Sequence, residues 1–358
     1  MKSLLRIDWV LLVPVGILVT ISLVTLFSLD VRFFINQFIS LGVAFVAFII
    51  FSQLNIDFLR KYSLHIYIAS IALLLVTLVI GIESRGSMRW IDIFGVRLQL
   101  SELIKPFLAV AFAHYVAKQA YPTFKSFISV ILLLTPVFAL TELQPDLGSA
   151  TLFGMVAMLG LFVAGYSLRW FVLLATPVIL AAPLIWMRLY DYQKQRILTF
   201  LNPQADPLGV SYNSIQALIA VGSGSFLGKG LSEGTQSGLR FLPERQTDFI
   251  FATIAEGLGL IGALIIIGAL FFLCFRIYKT FADSKDRFIK LFATVSIGFF
   301  MIPGFVNIGM NIGIVPIVGV TLPFVSFGGS SLLSNFIFLG ILSSLHVSQR
   351  HKNVLEIK

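Results

Sequence analysis

The chain has 358 residues, of which 58% are hydrophobic and only 12% charged. A soluble protein of this length is about a quarter charged, so the composition excludes a soluble enzyme. It implies an all-α polytopic membrane protein, with 1–358 as one integral membrane domain. The net charge of +9 is read first as an orientation signal and not as a sign of nucleic acid.

Met1–Arg6 leads into an apolar run too long for a signal-peptide core, so no cleavable leader is expected. A span takes roughly 20 mostly apolar residues. About ten are predicted, at 9–29, 33–53, 64–82, 100–117, 126–142, 148–166, 169–187, 249–275, 288–308 and 330–347. The seam at Gln144-Pro-Asp146 is either a turn between spans or a break within one. An even number of spans places both termini on one side. Lys2, Arg6, Arg60, Lys61, Lys118, Lys125, Arg169, the basic stretch 276–290 and Arg350, Lys352 and Lys358 make that side cytoplasmic.

Apart from Arg32, the outer cations gather in two loops, about 83–99 and 188–248. Long loops translocate regardless of charge, which accounts for the second. It accounts less well for Arg85, Arg89 and Arg97, and a cationic vestibule suits an anionic ligand such as a lipid pyrophosphate. Inside the fourth span, Glu102 and Lys105 stand i,i+3 on one face. Ionisable groups at membrane depth pair or line a cavity. Lys105 has two candidate partners, Glu102 and Asp146, the second joining two helices.

The loop 188–248 carries a dense turn cluster at 202–209, then Ser211–Gly222, an amphipathic stretch suited to the interface. It closes on Phe241-Leu-Pro-Glu-Arg-Gln-Thr-Asp248, which runs straight into an apolar helix. Asp248 is either an N-cap or a general base at the mouth of a membrane cleft. Gly328-Gly-Ser-Ser331, with Ser330, is either a re-entrant break before the last span or a polar wall offering amides to an anion. Four histidines and the lone Cys274 give no metal spacing. A P-loop, a dinucleotide fingerprint and a nucleophile elbow are also missing from the sequence. No cofactor is read from these residues, and a divalent cation stays open.

Trp90 in Gly86-Ser-Met-Arg-Trp-Ile91, Arg97-Leu-Gln-Leu-Ser-Glu-Leu-Ile-Lys105, Gln144-Pro-Asp-Leu-Gly148, Asp206-Pro-Leu-Gly209, Gly228-Lys-Gly230, Leu242-Pro-Glu-Arg-Gln-Thr-Asp-Phe-Ile250, Asn307-Ile-Gly309 and Leu322-Pro-Phe-Val-Ser-Phe-Gly-Gly-Ser-Ser331 resemble the SEDS family of shape, elongation, division and sporulation proteins. The resemblance runs in order from 86 onward. It implies a ten-span fold in a bacterial cytoplasmic membrane. The implied activity is that of a peptidoglycan glycosyltransferase polymerising lipid II. The implied partners are a class B penicillin-binding protein and other membrane proteins of the elongation complex.

By the same resemblance Asp248 matches the essential outer aspartate, Trp90, Arg97 and Lys105 match positions tied to activity, and Lys105 with Asp146 matches an interhelical salt bridge. Leu100 departs from the family's proline, and Gly257 stands where relatives often carry a second acid. Arg240 replaces an acid of the division type, which favours the elongation type. A lipid pyrophosphate leaves readily, so one carboxylate, Asp248, suffices as base. Arg97, with Arg240 or Arg245, is then expected to stabilise the pyrophosphate. The alternative is a flippase for the lipid-linked precursor, using the same cations.

Overall fold

The computed structural model describes residues 8–84, 87–93, 96–204, 206–207, 209 and 211–356. Lys2, Arg6, Arg85 and Lys358, invoked above as orienting or vestibule cations, lie outside the described residues.

In chain order, α1 (Trp9–Leu29) and α2 (Val31–Ser52) form a hairpin, and short α3 (Ile56–Lys61) turns into α4 (Ser63–Ile80). A small sheet follows, of β1 (Ile82–Ser84), β2 (Ser87–Ile93) and β3 (Val96–Gln99), antiparallel in the order β1-β2-β3. Next come α5 (Leu100–Leu103), α6 (Lys105–Lys118), α7 (Phe124–Leu143), α8 (Leu147–Val163), α9 (Leu168–Leu180) and α10 (Ala182–Arg188). The long loop contains α11 (Asp191–Leu201), α12 (Tyr212–Ser223) and α13 (Thr235–Gly238). Last are α14 (Ile250–Phe281), α15 (Arg287–Asn311) and α16 (Gly329–Glu356).

Among the described residues seven helices are long and apolar enough to cross a membrane, and α9 with α10, bent by 57°, makes an eighth. The remaining two predicted spans are α8, which is short, and α5–α6, interrupted at Ile104. Gln144-Pro-Asp146 is a turn between α7 and α8. The sheet is the addition to the helical expectation. Its strands are three, seven and four residues long, too brief for a period-two pattern to stand out.

The last helix lies at the centre: 83% of the α16 span is buried, against 17% for α2. Rings fill the space around it. Phe299 and Phe300 pack on Phe338 with centroids at 5.3 and 5.7 Å, and Phe324 packs on Phe300 at 5.4 Å. Phe324 holds φ at 63°, a strained value for a bulky residue. Its burial in this cluster compensates for the strain. Hydroxyls within the spans bond back to their own helices, as Ser70 does to the Ile66 carbonyl and Ser296 to that of Phe292. By contrast α9 and α10 bury no residue, and α9 meets the bundle through Trp170 and Phe171, whose rings lie 5.9 and 5.3 Å from that of Phe127 on α7. At the end opposite the sheet, Arg60 pairs with Asp286, the N-cap of α15, and lies 5.0 Å over the Phe288 ring.

Helix α14 opens at Gly259 (φ 66°, ψ −161°), and the long loop is stitched into the gap. Leu260 N donates to Ser225 O at 2.9 Å, while Lys229 N and Gly230 N donate to Glu256 O and Gly257 O at 3.0 Å each. A β-carbon on Gly259 would stand 2.4 Å from Gly228 N, so only glycine permits this approach. The amphipathic stretch at 211–222 forms α12, which packs on α14 through buried Ala217 and Ala220 and leaves Leu218 and Ile219 outward.

Candidate active site

The turn leading into α14 is fixed by its carbonyls. Thr253 Oγ1 donates to Arg245 O at 3.1 Å, Phe327 N to Gln246 O at 2.8 Å and Ser326 Oγ to Thr247 O at 2.8 Å. Two fully buried amides, Asn307 and Asn311, donate to Asp248 O at 3.1 and 3.0 Å. Four successive carbonyls are thus held by α14, α15 and the 326–327 segment. Asp248 itself is half-buried. The N-cap of α14 is Phe249, and the first-turn amide of Ala252 bonds Asn311 Oδ1 at 3.1 Å. Asp248 thus immediately precedes the N-cap, with its carbonyl held by two buried amides.

Gly319, at φ 74°, faces the carboxylate: a β-carbon there would stand 3.5 Å from Asp248 Oδ2 and 3.9 Å from Arg196 Nη1. Arg196 is on α11 and was counted in the sequence only as an outer cation. Its guanidinium sits 5.5 Å from the Tyr192 ring, and Tyr192 Oη donates to Pro145 O at 3.0 Å. Burial raises the Tyr192 phenol above its usual range, so it remains a donor. From Arg196 a cleft runs between α11, α12 and the 313–317 segment.

The loop before Asp248 is clamped from below. Buried Glu256 on α14 accepts from Gln236 N and Ser237 N at 2.9 Å each, from Ser237 Oγ at 2.7 Å and from Thr235 Oγ1 at 3.2 Å. The carboxylate thereby occupies the N-terminal amides of α13. Arg245 takes the other end, with Nη1 donating to the Ser237 and Gly238 carbonyls. Expected as a pyrophosphate ligand, Arg245 is instead buried and turned inward, where desolvation lowers its pKa. Arg240 is exposed, with φ at 63°.

The second cluster centres on Asp146. Its carboxylate accepts from Arg89 Nη1 at 3.4 Å, Gln99 Nε2 at 3.1 Å, Ser101 Oγ at 3.2 Å and Ser149 Oγ at 2.8 Å. It also caps α8 through Ser149 N at 3.2 Å. The expected Lys105–Asp146 bridge is not formed. The helix breaks at Ile104, Lys105 pairs with Glu102 at 2.6 Å, and Arg89 from the sheet fills the place at Asp146. Ser330 is buried and its Oγ accepts from Gln99 N at 2.9 Å, so it ties β3 to the start of α16. Arg97 is exposed on β3 opposite Asp92, and Trp90 is half-buried on β2 opposite Gln99.

Tyr192 connects the two clusters, holding Arg196 on one side and bonding the residue before Asp146 on the other. Asp248 and Arg196 are 52 positions apart and joined by no local pattern, so their meeting was not readable. Glu256 did carry a signal, as an acid inside an apolar run. Among the described residues no three His, Cys, Asp or Glu side chains converge on a metal site.

A family model described as "Cell cycle protein", for FtsW, RodA and SpoVE, matches residues 2–351. The "Peptidoglycan glycosyltransferase MrdB" of Escherichia coli is 37% identical over 316 residues, 87% of this chain and 84% of its own length. A "Probable peptidoglycan glycosyltransferase FtsW" of Hydrogenovibrio crunogenus is 33% identical over 371 residues, covering 98% and 94%. Among solved structures, a chain from "Structural coordination of polymerization and crosslinking by a peptidoglycan synthase complex" superposes with a TM-score of 0.84 at 28% identity, over 96% of this chain and 98% of that one. The rod shape determining protein RodA of Thermus thermophilus gives 0.73 at 25% identity, over 96% and 97%.

Proposed function

This chain belongs to the FtsW/RodA/SpoVE family of cell cycle proteins, and from that premise we propose how it works as a peptidoglycan glycosyltransferase: Asp248 is the general base of lipid II polymerisation. The acceptor sugar's 4-hydroxyl gives its proton to the Asp248 carboxylate, and its oxygen forms a bond to the donor's anomeric carbon. The bond from that carbon to the pyrophosphate breaks, and the lipid pyrophosphate leaves with the electron pair. One displacement inverts the anomeric centre. The leaving group needs no protonation, so a second carboxylate is not required.

The observation that carries this reading is the pinned carbonyl of half-buried Asp248 together with a carboxylate that meets Gly319 and Arg196. General-base transfer contributes ~10²–10⁴-fold, and the fixed turn adds orientation of the reacting groups. A flippase would need a path through the bundle, whereas Phe299, Phe300, Phe324 and Phe338 fill its centre.

A class B penicillin-binding protein is the partner that fits. The likeness to a chain of a synthase complex supports this. Both termini face the cytoplasm, supported by the distribution of Lys and Arg. The test is Asp248→Asn in purified protein given lipid II. Polymer formation should fall by ~10² or more with unchanged thermal stability. Activity within a few-fold of the parent would sink the assignment.

A further inference from the structure

The proposed reaction releases a pyrophosphate joined to a long apolar chain, yet the cations first expected to hold it are otherwise engaged or placed. Arg245 is buried against α13, Lys105 is paired with Glu102, and Arg89 with Asp146. Arg97 and Arg240 are both exposed, on β3 and in the turn before Asp248. Arg196 is placed differently. Its Nη1 and the Asp248 carboxylate flank the open face of Gly319, at 3.9 and 3.5 Å from where a β-carbon would be. Base and cation thus meet at a residue that puts no side chain between them.

We infer that Arg196 and the cleft running from it form the binding site for a polyprenyl pyrophosphate, with the anion on the guanidinium and the chain in the cleft. The cleft has the composition this ligand requires. Leu218 of α12, Met310 of α15 and Val315, Pro316 and Ile317 make an apolar wall, and Arg196 is the charged group on its lining. A groove with mostly apolar walls and a few placed polar groups is the usual form of a small-ligand site. The guanidinium is also preoriented. Tyr192 lies beneath it, held through its hydroxyl by the Pro145 carbonyl, so the planar donor fork loses little freedom on meeting a phosphate. Gly319 cannot be exchanged cheaply, because its φ of 74° disfavours any side chain.

The inference rests on the glycosyltransferase reading, since a polyprenyl pyrophosphate is what that reaction releases, but it is tested by binding and not by turnover. Farnesyl pyrophosphate and inorganic pyrophosphate are titrated against the purified full-length protein in detergent, with thermal stability measured in parallel. Farnesyl pyrophosphate should bind, and Arg196→Gln should weaken it by about tenfold or more, the loss of one charge-assisted contact, with Arg196→Lys intermediate. Leu218→Ser should weaken farnesyl pyrophosphate while leaving inorganic pyrophosphate unchanged. Asp248→Asn should leave both probes bound. The inference is overturned if the parent binds no farnesyl pyrophosphate. Equal binding by Arg196→Gln and the parent overturns it as well. So does equal weakening by Arg196→Gln and Asp248→Asn, which makes Arg196 a support for the carboxylate. Should Arg196→Gln not fold, the Arg196→Lys and Leu218→Ser arms decide alone. Full polymerisation by Asp248→Asn alongside lost probe binding in Arg196→Gln would refute the base and keep this site.

Discussion

The side-chain amide of Asn311 holds both ends of the turn that carries Asp248. Its Nδ2 donates to the Asp248 carbonyl at 3.0 Å, and its Oδ1 accepts from the Ala252 amide at 3.1 Å. One residue of α15 thus sets the backbone of the candidate base and satisfies a first-turn amide of α14 that has no partner within its own helix.

Asn311→Ala should expose that double role. It leaves the Ala252 amide buried without a partner, while Asn307 retains the Asp248 carbonyl. The expected loss is about 1–3 kcal/mol of stability, read by thermal unfolding. Polymerisation should fall by ~10–10²-fold through misplacement of the carboxylate. Unchanged activity in a measurably destabilised variant would separate the two roles and refute the second.

Lys105→Ala should strand Glu102, and not Asp146. Breaking a buried pair costs about 3–5 kcal/mol, and adding Glu102→Gln should recover most of it. Asp146→Asn should combine additively with Lys105→Ala, since the two carry no shared bond. A double-mutant cycle showing strong coupling between Lys105 and Asp146 would contradict the pairing described here.

Glu256→Gln should loosen the loop and leave the membrane helix. The carboxylate accepts four hydrogen bonds from Thr235, Gln236 and Ser237. An amide accepts through one oxygen only, so a loss of about 2 kcal/mol is expected. Hydrogen exchange should quicken over 229–240 and stay slow over 262–281. Uniform protection across both stretches would count against the clamp.

Reporter fusions at Gln204 and Asp283 should report opposite sides of the membrane, with Asp283 inside. The same sidedness at both sites would overturn the orientation drawn from Lys and Arg.

The spans were legible because long apolar runs have few alternatives: 9–29 became Trp9–Leu29, and 288–308 falls within Arg287–Asn311. The role of Asp248 was open between cap and base, since a carboxylate before an apolar helix serves either. Its nearness to Gly319 and Arg196, which weighs toward the base, arises only from tertiary contacts. Lys105 had two candidate partners, Glu102 and Asp146, because the interhelical contact depends on where the helix is interrupted; the resemblance favoured Asp146, while Pro106, just past Ile104, marks the interruption. Arg196 was hidden for a different reason. It sits in a long loop among other cations, and Gly319, which brings it to Asp248, lies more than a hundred residues later.

The break at Gly259 also bears on how the protein is made. Leu260 N, Glu256 O and Gly257 O bond to residues 225–230. In a regular helix Leu260 N would close on Glu256 O, four residues back. An α14 inserted before the loop arrives can therefore satisfy these groups itself by winding straight through Gly259. Folding of the loop exchanges bonds within the helix for bonds across to it, so a shortened loop should leave α14 spanning but closed.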